Sequence, residues 1–172
     1  MKQMNKKLFA AVMGAMMMIS LVSSCNKEET SAEDIAKANE FKASLLGKKF
    51  QGKEYYADKP IDYVTDDDIV KSETDLWKYV SGWIRDDYNV FDFNTNKVTV
   101  FQNDVKIDGN ADSEIIRPIS IGADKKGVYF DFLNYQYNAL RYRLVEFDGT
   151  SFTIYTDYTG GSKLFTKFVV VP

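Results

Sequence analysis

The second half of this chain constrains its fold most, because short alternating segments follow one another there with only a few turn residues between them. Residues 88–93 and 98–102 flank Asn94-Thr95-Asn96, and residues 115–121 and 128–133 flank 122–127. Residues 137–147 and 152–157 flank Asp148-Gly149-Thr150-Ser151, and residues 164–171 follow Gly160-Gly161. Connections this short join antiparallel neighbours, since a parallel pair needs a crossover of a dozen residues or more. With a further strand at 49–56, the pattern predicts about eight strands, a number at which a sheet can close and lose its exposed edges. The expected fold is mainly β, an antiparallel up-and-down barrel, with a two-sheet β-sandwich as the alternative. Pro118 marks an edge or a bulge in either arrangement.

Two helices are predicted around the first strand. In residues 31–46, Ser31 supplies an N-cap, Glu33 and Asp34 lie in the first turn, and Ile35, Ala38, Phe41 and Leu45 fall along one side. In residues 65–85, Thr65 can cap, Asp66, Asp67 and Asp68 sit at the positive end of the dipole, and Ile69, Val70, Leu76, Trp77, Val80, Trp83 and Ile84 recur at helical spacing, with Gly82 weakening the end.

The first 24 residues differ in kind from the rest. Lys2, Lys6 and Lys7 precede an apolar run over 8–22, then Ser23 and Ser24 stand before Cys25, the single cysteine. A basic start, a short apolar stretch and small residues at the cut define a secretory leader, and the run is short for a span of about 20 residues. Residues 1–24 are therefore expected to be a signal peptide, 25–31 a lipidated flexible tether, and 32–172 a single barrel domain with an N-terminal helix. Leu21-Val22-Ser23-Ser24-Cys25 resembles the lipobox of bacterial lipoproteins, which implies a membrane partner engaged through palmitate-class acyl chains on Cys25. Asn26 is followed by Lys27, Glu28 and Glu29, a pattern similar to the surface-export signal of certain Gram-negative lipoproteins. It implies an outer-membrane, cell-surface location, with the periplasmic face as the alternative and a solvated charged linker as the plain reading.

Without residues 1–24 the chain keeps 19 basic and 25 acidic residues, a net charge of −6. That balance argues against nucleic acid, which demands clustered Lys and Arg. The chain has no histidine, and beyond residue 24 its only sulfur is that of Cys25. Zinc, copper and haem sites lack their usual ligands, histidine triads are excluded, and neither a nucleophile elbow nor a metal motif appears. No cofactor, no metal and no enzymatic activity are expected.

The strand order over roughly 45–172 resembles the lipocalin-like domains of small bacterial lipoproteins. Lipocalins open with a glycine, a variable residue and a tryptophan; Leu46-Gly47-Lys48-Lys49-Phe50 has the glycine, with the aromatic Phe50 one place later. A helical insert after the first strand is similar to the fatty-acid-binding relatives, although their late-strand arginine and tyrosine pair has no clean counterpart. The resemblance implies a small apolar or amphipathic ligand inside the barrel.

Alternation assigns Val128, Phe130 and Phe132 to one face, and Leu140, Tyr142 and Leu144 to the matching face of the next strand. Phe130, Phe132, Leu140 and Tyr142 are thus candidate ligand-lining residues, or the packing of a filled core. Tyr135 and Tyr137, in a turn beside Asn134 and Asn138, are candidates for ligand or partner contact. Arg141 and Arg143 could clamp an anion, but solvated pairing with Asp131 across strands is the plainer reading. Helix capping explains Asp66, Asp67 and Asp68 better than calcium does. Trp77 and Trp83 invite a carbohydrate reading, but helical spacing places them on a buried side. A filled barrel would instead suit an accessory protein of an outer-membrane complex.

Overall fold

The computed structural model describes residues 30–64, 69–102, 114–133 and 139–172. Among these, nine strands pair antiparallel throughout: β1 Lys49–Val64, β2 Ile69–Asp75, β3 Tyr88–Asp92, β4 Lys97–Phe101, β5 Glu114–Asp124, β6 Gly127–Leu133, β7 Ala139–Phe147, β8 Ser151–Tyr158 and β9 Ser162–Val171. The last strand returns to the first, paired from Lys49↔Val171 to Ala57↔Leu164 with a bulge between Gly52 and Glu54, so the sheet closes. A sandwich is thereby excluded.

The nine strands fill eight positions. On the edge of β1 opposite β9, Lys49 to Gln51 pair with β3, while Tyr56 to Val64 pair with β2. Since β2 and β3 run the same way along one edge, they are two pieces of a single strand position, separated by an excursion over 76–87. The fold is a closed eight-position antiparallel barrel, mainly β, with one substantial helix.

The helix predicted over 65–85 is the main correction. Ile69–Asp75 is a strand, Trp77–Tyr79 is a single 3-10 turn, and α2, Gly82–Arg85, is four residues long and begins at the glycine expected to end a helix. Thr65 and Asp66 to Asp68 lie outside the described residues. The reason is β1 itself, which runs to Val64 rather than stopping near Tyr56. Its extended half exposes a row of backbone donors and acceptors that only another strand can satisfy. The β-branched pair Ile69-Val70 suits that role better than a helix.

Helix α1, Ala32–Leu45, forms as expected. Ser31 Oγ accepts from the Asp34 N–H at 3.0 Å and donates to Asp34 Oδ2 at 2.6 Å. Ala38, Phe41 and Leu45 are buried, but Ile35 is 49% exposed and lies outside the core. The helix lies against β5 and β6 and closes one end of the barrel. Phe41 reaches inside, with its ring centroid 5.3 Å from Phe147 and 5.2 Å from Phe152.

Pro118 sits inside β5 opposite Lys97. The Ile119 N–H points to β4, donating to the Asn96 carbonyl at 3.0 Å. The preceding residue therefore faces the β6 side, where pairing begins only at Ile119↔Phe132. No ladder donor is lost.

Candidate functional site

Inward side chains divide the barrel into a closed half and a less closed one. Toward the α1 end, Phe152 is 1% exposed and its ring lies 5.1 Å from Phe50, 6.2 Å from Phe91, 6.5 Å from Phe130 and 4.8 Å from Phe168. With Phe41 these rings form a continuous aromatic floor. Offset and edge-on contacts of this kind contribute beyond the area they bury.

Above that floor, β6 and β7 make a wall. Their register sets Phe130 opposite Tyr142 and Phe132 opposite Leu140. Phe130 is buried in the core, and its ring meets Tyr142 edge-on at 6.4 Å and Phe132 at 6.3 Å. Phe132, Leu140 and Tyr142 are inward by alternation yet only half-buried. Four of the residues singled out in the sequence are therefore brought together on one inner surface. Desolvation raises the Tyr142 phenol above its ordinary value, so its hydroxyl remains a proton donor at neutral pH. Tyr135 and Tyr137 lie outside the described residues, as do Cys25, Lys27, Glu28 and Glu29.

A polar sector on β3 to β5 escaped the sequence reading. Asp87, Gln102 and Arg117 are buried, at 3%, 5% and 7% exposure. Arg117 pairs with buried Val98, and Gln102 continues the inward series Val98, Val100. Asp87 falls opposite Gln102, one place beyond Tyr88↔Phe101. The signal was present, because period-two alternation through Val98-Thr99-Val100-Phe101-Gln102 turns the glutamine inward. The Gln102 amide nitrogen and oxygen have no hydrogen-bond partner among the described residues. The barrel interior thus combines an apolar wall with buried polar groups, an arrangement suited to an amphipathic guest.

The outer face of the same strands is ionic. Arg141 donates from Nε and Nη2 to the two Asp131 oxygens, each at 2.7 Å, as cross-strand register predicts. Its guanidinium also lies 4.0 Å from the Tyr129 ring centroid. Arg143 turns instead to Asp124, donating at 2.6 and 2.9 Å. Those bonds lead the causes that hold the Asp124 carboxyl down at about 2. Neither arginine faces the barrel interior, and the anion clamp is not formed.

No known family model and no curated protein sequence matches the chain. Among solved structures it is similar to a bovine odorant binding protein, a deswapped triple mutant, at 16% identity over 73% of each chain with a TM-score of 0.36. A complex of bovine odorant binding protein with a selenium-containing odorant gives 16% identity, 76% and 73% coverage and a TM-score of 0.37. The complex with undecanal gives 14%, 74% and 72%, and 0.35. Likeness this distant carries neither a residue role nor a ligand across to this chain.

Proposed function

We propose that this chain is a lipid-anchored, non-catalytic barrel protein of the outer membrane, displayed at the cell surface, that holds a small apolar or amphipathic molecule inside its barrel. The observation that carries the ligand reading is the wall formed by Phe132, Leu140 and Tyr142. These side chains turn inward above a filled aromatic floor without themselves being packed to full burial. A preformed, mostly apolar concavity with a few polar groups is the usual form of a small-molecule site. The basic leader, the small residues before Cys25 and Lys27-Glu28-Glu29 support the address.

Native mass spectrometry of the acylated protein extracted from membranes tests the ligand. An adduct of constant mass released by organic solvent is expected, and a bare polypeptide with its acyl chains would refute the reading. Cys25→Ser should abolish labelling by a palmitate analogue and release the protein from the membrane fraction. External protease on intact cells should remove the domain; protection would exclude surface display and leave the periplasmic face.

A second reading rests on the aromatic floor, which fills the α1 half of the interior. An accessory protein of an outer-membrane complex would need no ligand and would crosslink recurrently to one membrane partner in cells.

A further inference from the structure

A cleft of about 390 Å³ lies where β1 meets β2 and the excursion that follows it. Its size falls in the range of about 300–1,000 Å³ usual for ligand sites. Tyr55, Ala57, Lys53, Glu54, Thr74 and Asp75 line it with the rings of Tyr56 and Trp77.

Both rings are held in place. Tyr56 stacks on Phe165 of β9, with centroids 5.0 Å apart and planes 6° from parallel. Because β2 flanks β1 on the opposite side from β9, the other face of Tyr56 turns toward Thr74 and Asp75. Trp77 rides on the 3-10 turn, whose base is pinned by the wholly buried Leu76, its N–H donating to the Tyr55 carbonyl at 2.9 Å. The Trp77 N–H donates to Asp75 Oδ1 at 3.1 Å. Arg85 clasps the same turn, donating to the Val80 carbonyl at 2.7 Å and the Lys78 carbonyl at 2.6 Å, with its guanidinium 5.7 Å from the Trp77 ring centroid. The result is a half-buried tryptophan fixed at the surface by hydrogen bonds made elsewhere, a preorganised contact of the kind that carries binding energy.

The surroundings select the ligand. Cations near the cleft are engaged: Lys78 with Glu73, Lys167 with Glu54 at 3.3 Å, Lys53 with Gln51, and Arg85 with backbone carbonyls. Glu54 and Asp75 balance Lys167 and Lys53, so the lining carries no excess positive charge to hold a phosphate, sulfate or carboxylate. The cleft is open, unlike an enclosed lipid site. Aromatic faces, negative at their centres, attract the C–H face of a sugar ring, while carboxylates and a threonine hydroxyl match its hydroxyls. We propose that the cleft between Tyr56 and Trp77 binds a neutral hexose unit of an oligosaccharide. This site does not use the wall of Phe132, Leu140 and Tyr142 and stands whether or not that wall holds a guest.

The test uses the full mature protein in detergent, titrated calorimetrically with maltohexaose, cellohexaose and mannohexaose, and with a polygalacturonate hexamer as the anionic comparison. At least one neutral hexamer should bind, and Trp77→Ala and Tyr56→Leu should each weaken it about tenfold or more. Thermal melts accompany each variant, and if Trp77→Ala fails to fold, Tyr56→Leu decides alone. Absence of binding by all three neutral hexamers overturns the assignment. Binding restricted to the anionic sugar, or affinity unchanged in a folded variant, does so equally.

Discussion

Truncating Phe152 and truncating Phe132 should have opposite consequences, because one belongs to the aromatic floor and the other to the chamber wall. Phe152 is 1% exposed and its ring touches those of Phe41, Phe50, Phe91, Phe130 and Phe168. Phe→Ala at such a hub costs about 3–5 kcal/mol, transfer and cavity terms together. At roughly 2–4 °C per kcal/mol for a domain of this size, the melting temperature falls by about 6–20 °C. Phe132 is partly buried, with its nearest ring contact to Phe130 at 6.3 Å. Burying about two-thirds or more of a Phe side chain contributes about 1–2.5 kcal/mol, so Phe132→Ala should lower the midpoint by roughly 2–10 °C. Binding should show the reverse order. An apolar reporter such as N-phenyl-1-naphthylamine, titrated by fluorescence, should lose about tenfold affinity in Phe132→Ala, through the loss of about 1.4 kcal/mol of contact. Phe152→Ala, measured below its midpoint, should keep the reporter or gain volume for it. The reasoning fails if the two variants are equally destabilised and reporter binding is the same in both, for the interior would then be filled throughout.

Gln102→Leu should stabilise the fold by about 1–3 kcal/mol, since it replaces a buried amide whose polar atoms lack partners among the described residues. Urea denaturation with an unchanged m-value would show the gain, and a loss of stability would mean that the amide is satisfied. Acid should weaken the barrel through Asp124, whose carboxyl is depressed from 3.8 to about 2. Its contribution is complete above pH 4 and disappears as pH falls through 2, because the unfolded chain takes up the proton first. For a partly exposed pair this amounts to about 0.2–1 kcal/mol, so Asp124→Asn should flatten the melting profile between pH 4 and 2; an unchanged slope would contradict it. Gly122→Ala should displace Tyr129, because an added Cβ would lie 2.5 Å from its hydroxyl oxygen. The stack with Arg141 should then weaken, seen as a changed Tyr129 ring signal by NMR, and an unaltered signal would refute the contact.

Closure of the barrel was legible because it is written in local pattern. The turns before Lys97, Gly127, Ser151 and Ser162 come from Asn, Asp and Gly at fixed places, and period-two alternation sorts Phe130 and Phe132 from Tyr129 and Asp131. Ser31 announced α1 in the same way. The stretch 69–85 was misread because its apolar residues satisfy a helical period by coincidence, while the deciding influence was remote. The length of β1 is set by pairing partners at both of its edges, and no window of local sequence reports it.

The same non-local cause accounts for what the sequence missed at both sites. Because β2 ends at Asp75 and β3 resumes only at Tyr88, the chain must leave the sheet between them, and Leu76 anchors the departure by burying completely. The excursion leaves Trp77 lining one cleft with Tyr56, where a continuous helix would have turned it fully to the core. It also returns the chain at Asp87, delivering that carboxylate to the inner face opposite Gln102. One interruption in one strand therefore supplies an aromatic wall to the cleft and a buried carboxyl to the interior. A variant that replaces residues 77–86 with a short strand connection, keeping the buried Leu76 and Asp87, should preserve closure through β1 and β9 while erasing the cleft. Retention of a cooperative melt with loss of neutral hexamer binding is the expected result, and loss of folding would place the excursion within the core of the barrel.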